Sequence, residues 1–235
     1  MIMKSNAISV GQLYLGGGGR AEDSLKLDER FLSDLKNKKI VYIPIALTPK
    51  ENGYESCYDW ITSTLTKASN DFIEIAMWTD LNNKKLSDLD SFGGVYIGGG
   101  NTYKLLDHFL QTGFNKTLTE YYNQGGFIYG GSAGAIVLGK TISIVAEENN
   151  SNYPNKDGLN LLNEKSVICH FTNSKEKKLT KFIQENKTDI IALTERAGAI
   201  ISNTNQIESV GFESIQLYST SLSPISINPG NKSII

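Results

Sequence analysis

Short apolar runs rich in β-branched and aromatic residues recur along the chain: KKIVYIPIAL, FIEIAMW, GVYIGG, GFIYGG, TISIVA, SVICHF and DIIALT. A run that is apolar at nearly every position cannot turn one face to water, so most of these strands are expected to be covered on both sides. Between them, residues 25–36, 54–69, 102–111, 114–124 and 175–186 carry the spacing of amphipathic helices. Strands alternating with helices predict an α/β three-layer sandwich with a mostly parallel central sheet. From Gly198 onward, AIISNTNQIESVG and ESIQLYS read instead as hairpin strands that extend an edge of that sheet. No linker or internal repeat interrupts the pattern, and residues 1–235 are read as a single α/β domain.

Composition narrows the classes of partner. A net charge of -2 with interspersed signs offers no basic surface for nucleic acid and no polybasic segment for anionic lipid. The N-terminal stretch lacks the pattern of a secretory signal, and no apolar stretch approaches the roughly 20 residues of a membrane span. The expectation is a cytoplasmic protein with neither a nucleic acid nor a membrane partner. Cys57, Cys169, His108 and His170 are the cysteines and histidines of the chain, and their spacing suits neither a disulfide framework nor a metal site. No metal or organic cofactor is expected.

The segment FIYGGSAGAIVLG carries Gly130, Ser132 and Gly134 in the order Gly-x-Ser-x-Gly, between a predicted strand and a predicted helix. That setting is the nucleophile elbow: the serine sits on a strained turn, flanked by glycines because side chains there would clash. A plain Gly-rich turn is the competing reading, since so short a pattern also arises by chance. A serine hydroxyl becomes a useful nucleophile when a base takes its proton. His108 falls inside the helical segment TYKLLDHFLQT, whereas His170 ends the strand SVICHF, where loops of a parallel sheet carry chemistry. His170 is therefore the candidate base, and alternation turns the preceding Cys169 toward the core. Glu147 and Glu148, after TISIVA and at the start of the polar loop EENNSNYPNKDGLNLL, are candidates for the carboxylate that orients the imidazole.

The run YIGGGNTYKLL supplies Gly99 and Gly100 after another strand, with Asn101 at the expected N-cap of a helix. The amides of Gly100 and Ala133 are candidate oxyanion-hole donors, although a glycine turn before a helix also suits phosphate. The earlier LYLGGGGRAED invites a nucleotide reading, but no Gly-Lys-Ser/Thr follows it.

IGGGNTYKLL, YGGSAGAIVLG and CHFTNS, in that order, resemble the peptidase E (dipeptidase E, aspartyl dipeptidase) family of serine peptidases, to which cyanophycinase is a more distant cousin. The resemblance spans the chain from about Ile40 to about Glu195. It implies the class I glutamine amidotransferase-like (flavodoxin-like) fold. It also implies Ser132 as nucleophile, His170 as base, Glu147 as third member, and Gly100 and Ala133 as oxyanion-hole amides. Gly99, Asn101, Asn173, Lys175 and Arg196 are the candidate substrate-binding residues. The expected activity is hydrolysis of short peptides, Asp-X dipeptides among them, through an acyl-enzyme, by a monomer or homodimer. An amide or ester hydrolase of the same fold and a non-catalytic binding protein are the alternatives.

Overall fold

The computed structural model describes residues 11–47, 53–145, 154, 156–202, 204–220 and 223–235. Its strands are β1 (Gln12–Gly16), β2 (Lys39–Ile43), β3 (Glu74–Met77), β4 (Gly94–Ile97), β5 (Phe127–Gly131) and β6 (Lys165–Ile168). They are followed by β7 (Asp189–Ala192), β8 (Ala197–Ser202), β9 (Gln206–Gly211), β10 (Ile215–Tyr218), β11 (Ile225–Ile227) and β12 (Lys232–Ile234). The helices are α1 (Ala21–Asp34), α2 (Glu55–Ala68), α3 (Thr102–Thr112), α4 (Phe114–Asn123), α5 (Ala133–Val137) and α6 (Glu176–Asn186).

An eight-stranded sheet runs β12-β9-β8-β1-β5-β4-β2-β3. β1 through β5 are parallel within it, while β8, β9 and β12 add an antiparallel extension beside β1. Helices lie on both faces, as the alternation predicted, and the fold is flavodoxin-like. One face is aliphatic: Leu13, Leu15, Val41, Ile43, Val95, Ile97 and Ile128 are buried beneath residues of α3, α4 and α5. The other is aromatic. Tyr42, Tyr96, Tyr129 and Tyr14 are register partners across β2, β4, β5 and β1, so the period of two along each strand aligns them in one row. Tyr96 and Tyr129 stack at 4.2 Å, and Phe31 of α1 meets Tyr14, Tyr96 and Tyr129 edge-on, closing this face under α1 and α2.

A second sheet, β11-β10-β7-β6, departs from the predicted arrangement. SVICHF and DIIALT form its parallel pair β6 and β7, and ESIQLYS pairs antiparallel with β7 as β10 rather than extending the larger sheet. Leu179 and Ile183 of α6 pack against Ile190, Ala192 and Tyr218 of this layer. The segment TISIVA, expected as a strand, is a turn through Val145. The hydroxyls of Thr141 and Ser143 bond each other at 2.9 Å, and Val145 N–H donates to the Ile142 carbonyl at 3.2 Å. Local side-chain bonding of this kind competes with strand pairing, while Ile142 and Ile144 still reach the interior. The N-terminal run QLYLG, not read as a strand from the sequence, is β1 at the middle of the larger sheet. No helix among the described residues is long and apolar enough to cross a membrane.

Asp28 of α1 is fully buried behind the tyrosine row. Ser24 Oγ donates to its Oδ2 at 2.7 Å, while Oδ1 has no partner with hydrogen-bonding geometry among the described residues. Burial lifts its pKa to about 7, against smaller lowering contributions from the Ser24 and Tyr129 hydroxyls. A carboxyl whose pKa rises on folding stabilises in its neutral form. That stability is full below the ordinary carboxylate range near pH 4 and is lost as the pH rises to about 7. Asp28→Asn should therefore raise the melting temperature relative to the parent by more at pH 8 than at pH 5; an equal difference at both values in thermal denaturation would contradict this account.

Candidate active site

β5 delivers the chain to Ser132, which stands at φ 50° and ψ -112° immediately before α5. A non-glycine residue at positive φ is strained and persists where its surroundings hold it. Here the flanking glycines permit the turn: a Cβ at Gly130 would lie 2.5 Å from Gly134 backbone, and one at Gly134 would lie 2.3 Å from the Ile97 carbonyl. The elbow anticipated from Gly-x-Ser-x-Gly is thus present in its full steric sense.

Ser132 Oγ lies 3.0 Å from His170 Nε2. The two residues come from different sheets, not from one as the sequence suggested: β5 carries the serine, and the histidine follows β6 of the smaller sheet. His170 Nδ1 lies 3.0 Å from Glu195 Oε1. A carboxylate only accepts, so the proton of a neutral ring sits on Nδ1, leaving the Nε2 lone pair to receive the serine hydroxyl. Glu195 follows β7, and the parallel pairing Ile168↔Ala192 brings the loops after β6 and β7 side by side. Glu147 and Glu148 lie outside the described residues, and the carboxylate that meets His170 is one the sequence reading did not select. Its signal was positional: Glu195 follows an apolar strand at its carboxyl end, as His170 does.

The glycine run after β1 joins these parts. The Gly16 carbonyl accepts the Ser132 N–H at 3.0 Å, and the Gly17 carbonyl accepts the His170 N–H at 2.9 Å. Gly18 has φ 97°, and a Cβ there would stand 2.4 Å from His170 Nε2 and 3.0 Å from Ser132 Cβ. LYLGGGGRAED therefore closes around the serine and imidazole. The nucleotide reading considered for it has no support here.

The remaining sequence candidates take varied places. Gly99 adjoins the serine, a Cβ there lying 3.1 Å from Ser132 Cβ, while Gly100 holds φ 137° against the Ala46 carbonyl and lines a cavity together with Ser132. Ala133 is buried at the first position of α5, beside Ser132. Asn101 caps α3 as expected, its Oδ1 accepting Lys104 N–H at 2.8 Å. Lys175 Nζ donates to the His170 carbonyl at 2.6 Å, and the exposed Asn173 begins the short turn leading to it. Arg196 is engaged elsewhere, 3.4 Å from Asp23 and over the Phe212 ring. Cys169 is buried, as alternation predicted. His108 is partly buried on α3, with Nε2 lacking a partner among the described residues and its pKa lowered chiefly by burial. No cluster of His, Cys, Asp and Glu among the described residues is arranged to hold a metal ion.

A serine hydroxyl on a strand-to-helix elbow, in contact with an imidazole that in turn meets a carboxylate, defines the class: a hydrolase site of serine type. The chain belongs to peptidase family S51, whose family model matches residues 13–210, and it is a serine-type peptidase. It is 26% identical to an uncharacterized peptidase of Listeria monocytogenes over 170 residues, covering 69% of this chain and 80% of that protein. It is 25% identical to peptidase E of Haemophilus influenzae over 195 residues, 79% of this chain and 86% of the relative. The crystal structure of a peptidase from an acI-B1 Actinobacterium superposes with a TM-score of 0.73 at 22% identity, covering 96% of this chain and 97% of that one.

Because Gly18 has no room for a side chain beside the imidazole, Gly18→Ala should displace His170 and slow fluorophosphonate labelling of Ser132 by about a hundredfold, the cost of roughly an ångström of misplacement. Circular dichroism should stay as in the parent. Labelling at the parental rate would show that the loop does not position the ring.

Proposed function

We propose that this peptidase hydrolyses short peptides through an acyl-enzyme, with Ser132 as nucleophile, His170 as general base and acid, and Glu195 as the carboxylate that holds the imidazole. The observation that carries the proposal is the continuous relay of two 3.0 Å contacts from Oγ through the ring to Oε1. Ser132 Oγ attacks the peptide carbonyl carbon as its proton passes to His170 Nε2. The oxyanion that forms is received by the amides of Ala133, which follows Ser132 in the chain, and Gly100, which lines a cavity with it. Collapse breaks the C–N bond, and the proton on Nε2 goes to the departing amine. Water then repeats the sequence on the acyl ester, returning the acid product and free Ser132. These steps require no metal or organic cofactor.

Short substrates are favoured by the shape of the surroundings. Two cavities of about 370 and 450 Å³ are both lined by Ser132, near the lower end of the roughly 300–1,000 Å³ typical of small-ligand sites. The same reading takes the protein to be cytoplasmic, acting on free small peptides as a monomer or homodimer.

Ser132→Ala should lower kcat on any cleaved peptide by about 10⁴-fold or more, and Glu195→Gln by about 10²- to 10⁴-fold, through loss of the required tautomer. Glu147→Gln should cost far less than Glu195→Gln. A steady-state comparison in which the Glu195 variant keeps most of the parental kcat while the Glu147 variant loses it would reverse the assignment of the carboxylate.

A further inference from the structure

The two cavities differ in chemistry, and Ser132 lines both. His170, Lys175 and Lys178 line the larger one. His170 must protonate the departing amine, so the amine half of the substrate lies on that side and the acyl half lies in the other cavity. The acyl-side cavity, of about 370 Å³, is walled by Tyr42, Tyr96 and Tyr129 of the aromatic row, with Trp60, Leu47 and Cys57 toward its mouth. No Lys or Arg is among its described lining residues.

We propose that this cavity receives the side chain of the residue whose carbonyl Ser132 attacks, and that it selects a large uncharged side chain, aromatic or aliphatic, over the carboxylate of aspartate. The inference rests on the peptidase mechanism above and specifies its substrate. Three observations carry it. Leu47 and Trp60 are among the few large apolar residues left exposed, at 36% and 41%, and both border this opening. The Trp60 ring meets Tyr96 edge-on at 6.5 Å, continuing the aromatic wall from the buried row to the surface. Behind Ser24 and Tyr129, which line the cavity, sits the fully buried carboxyl of Asp28, with Oδ1 unpartnered among the described residues. An anionic side chain entering here would lose its water, find no Lys or Arg among the described lining residues and approach a second acid. A phenyl or isobutyl group would instead exchange water for aromatic walls.

The test begins with fluorophosphonate labelling of the intact protein, which reads the reactivity of Ser132 independently of any side-chain preference. Then kcat/KM is measured for X-Leu peptides with X as Phe, Leu, Ala or Asp, each free and N-acetylated. Burial of a large apolar side chain should give Phe-Leu and Leu-Leu an advantage of about tenfold to a hundredfold over Ala-Leu and Asp-Leu. Ser56→Trp and Cys57→Phe, both at the cavity lining on α2, should lower the ratio of Phe-Leu to Ala-Leu by about tenfold by occupying the space. Ser56 is exposed, so its variant tests the ratio even where the bulkier change at Cys57 harms folding. Labelling accompanied by a preference for Asp-Leu, or by a Phe-to-Ala ratio unchanged in the folded variants, overturns the specificity and leaves the peptidase mechanism standing. Absence of labelling overturns the mechanism and the specificity with it.

Discussion

Two backbone hydrogen bonds hold the chemistry of this molecule together: Gly16 C=O to Ser132 N–H, and Gly17 C=O to His170 N–H. The nucleophile hangs from one sheet and the base from another, and nothing in either sheet alone fixes their separation. The end of β1 does so, because its consecutive carbonyls accept from both residues. Each such bond adds only about 1 kcal/mol net to stability. Their value is positional, since proton transfer demands heavy-atom distances near 3 Å. Glycine makes the approach possible. A Cβ at Gly17 would stand 1.7 Å from the Thr194 carbonyl, so the same loop also closes against the residue before Glu195.

The aromatic face links the core to the site. The row of tyrosines that packs α1 against the larger sheet becomes, at its upper end, a wall of the cavity beside Ser132. The scaffold and the binding surface are thus the same side chains, which favours precision because buried rings have little freedom to move. The neighbourhood also carries a cost. A buried carboxyl whose pKa rises on folding is a stability penalty at neutral pH, and such penalties collect where a fold serves function as well as packing.

Much of the local structure was legible in the sequence. Helix spacing located α1 to α4 and α6 to within a few residues, and Asn101 before YKLL marked a cap that the Lys104 amide uses. The elbow was legible because its requirement is steric and short in range: Gly130 and Gly134 meet backbone that no side chain could share. The misreadings have physical causes of a different kind. TISIVA has strand composition but satisfies its polar groups with its own hydroxyls, and QLYLG is so short and so close to glycines that its central place in the sheet leaves little local trace.

What the sequence by itself determined is therefore the family of the chain and the alternation of strands and helices, with Ser132 and His170 as the candidates that the structure brings to 3.0 Å, since each was read from a few neighbouring residues or a compact motif. The tertiary structure alone decided that Glu195 meets His170, that the smaller sheet carries both, and that the glycine run after β1 ties them to Ser132. The reason is pairing over long range. Which carboxylate reaches an imidazole depends on the parallel register of β6 and β7 and on the docking of two sheets, and neither is encoded in the neighbours of the residues concerned.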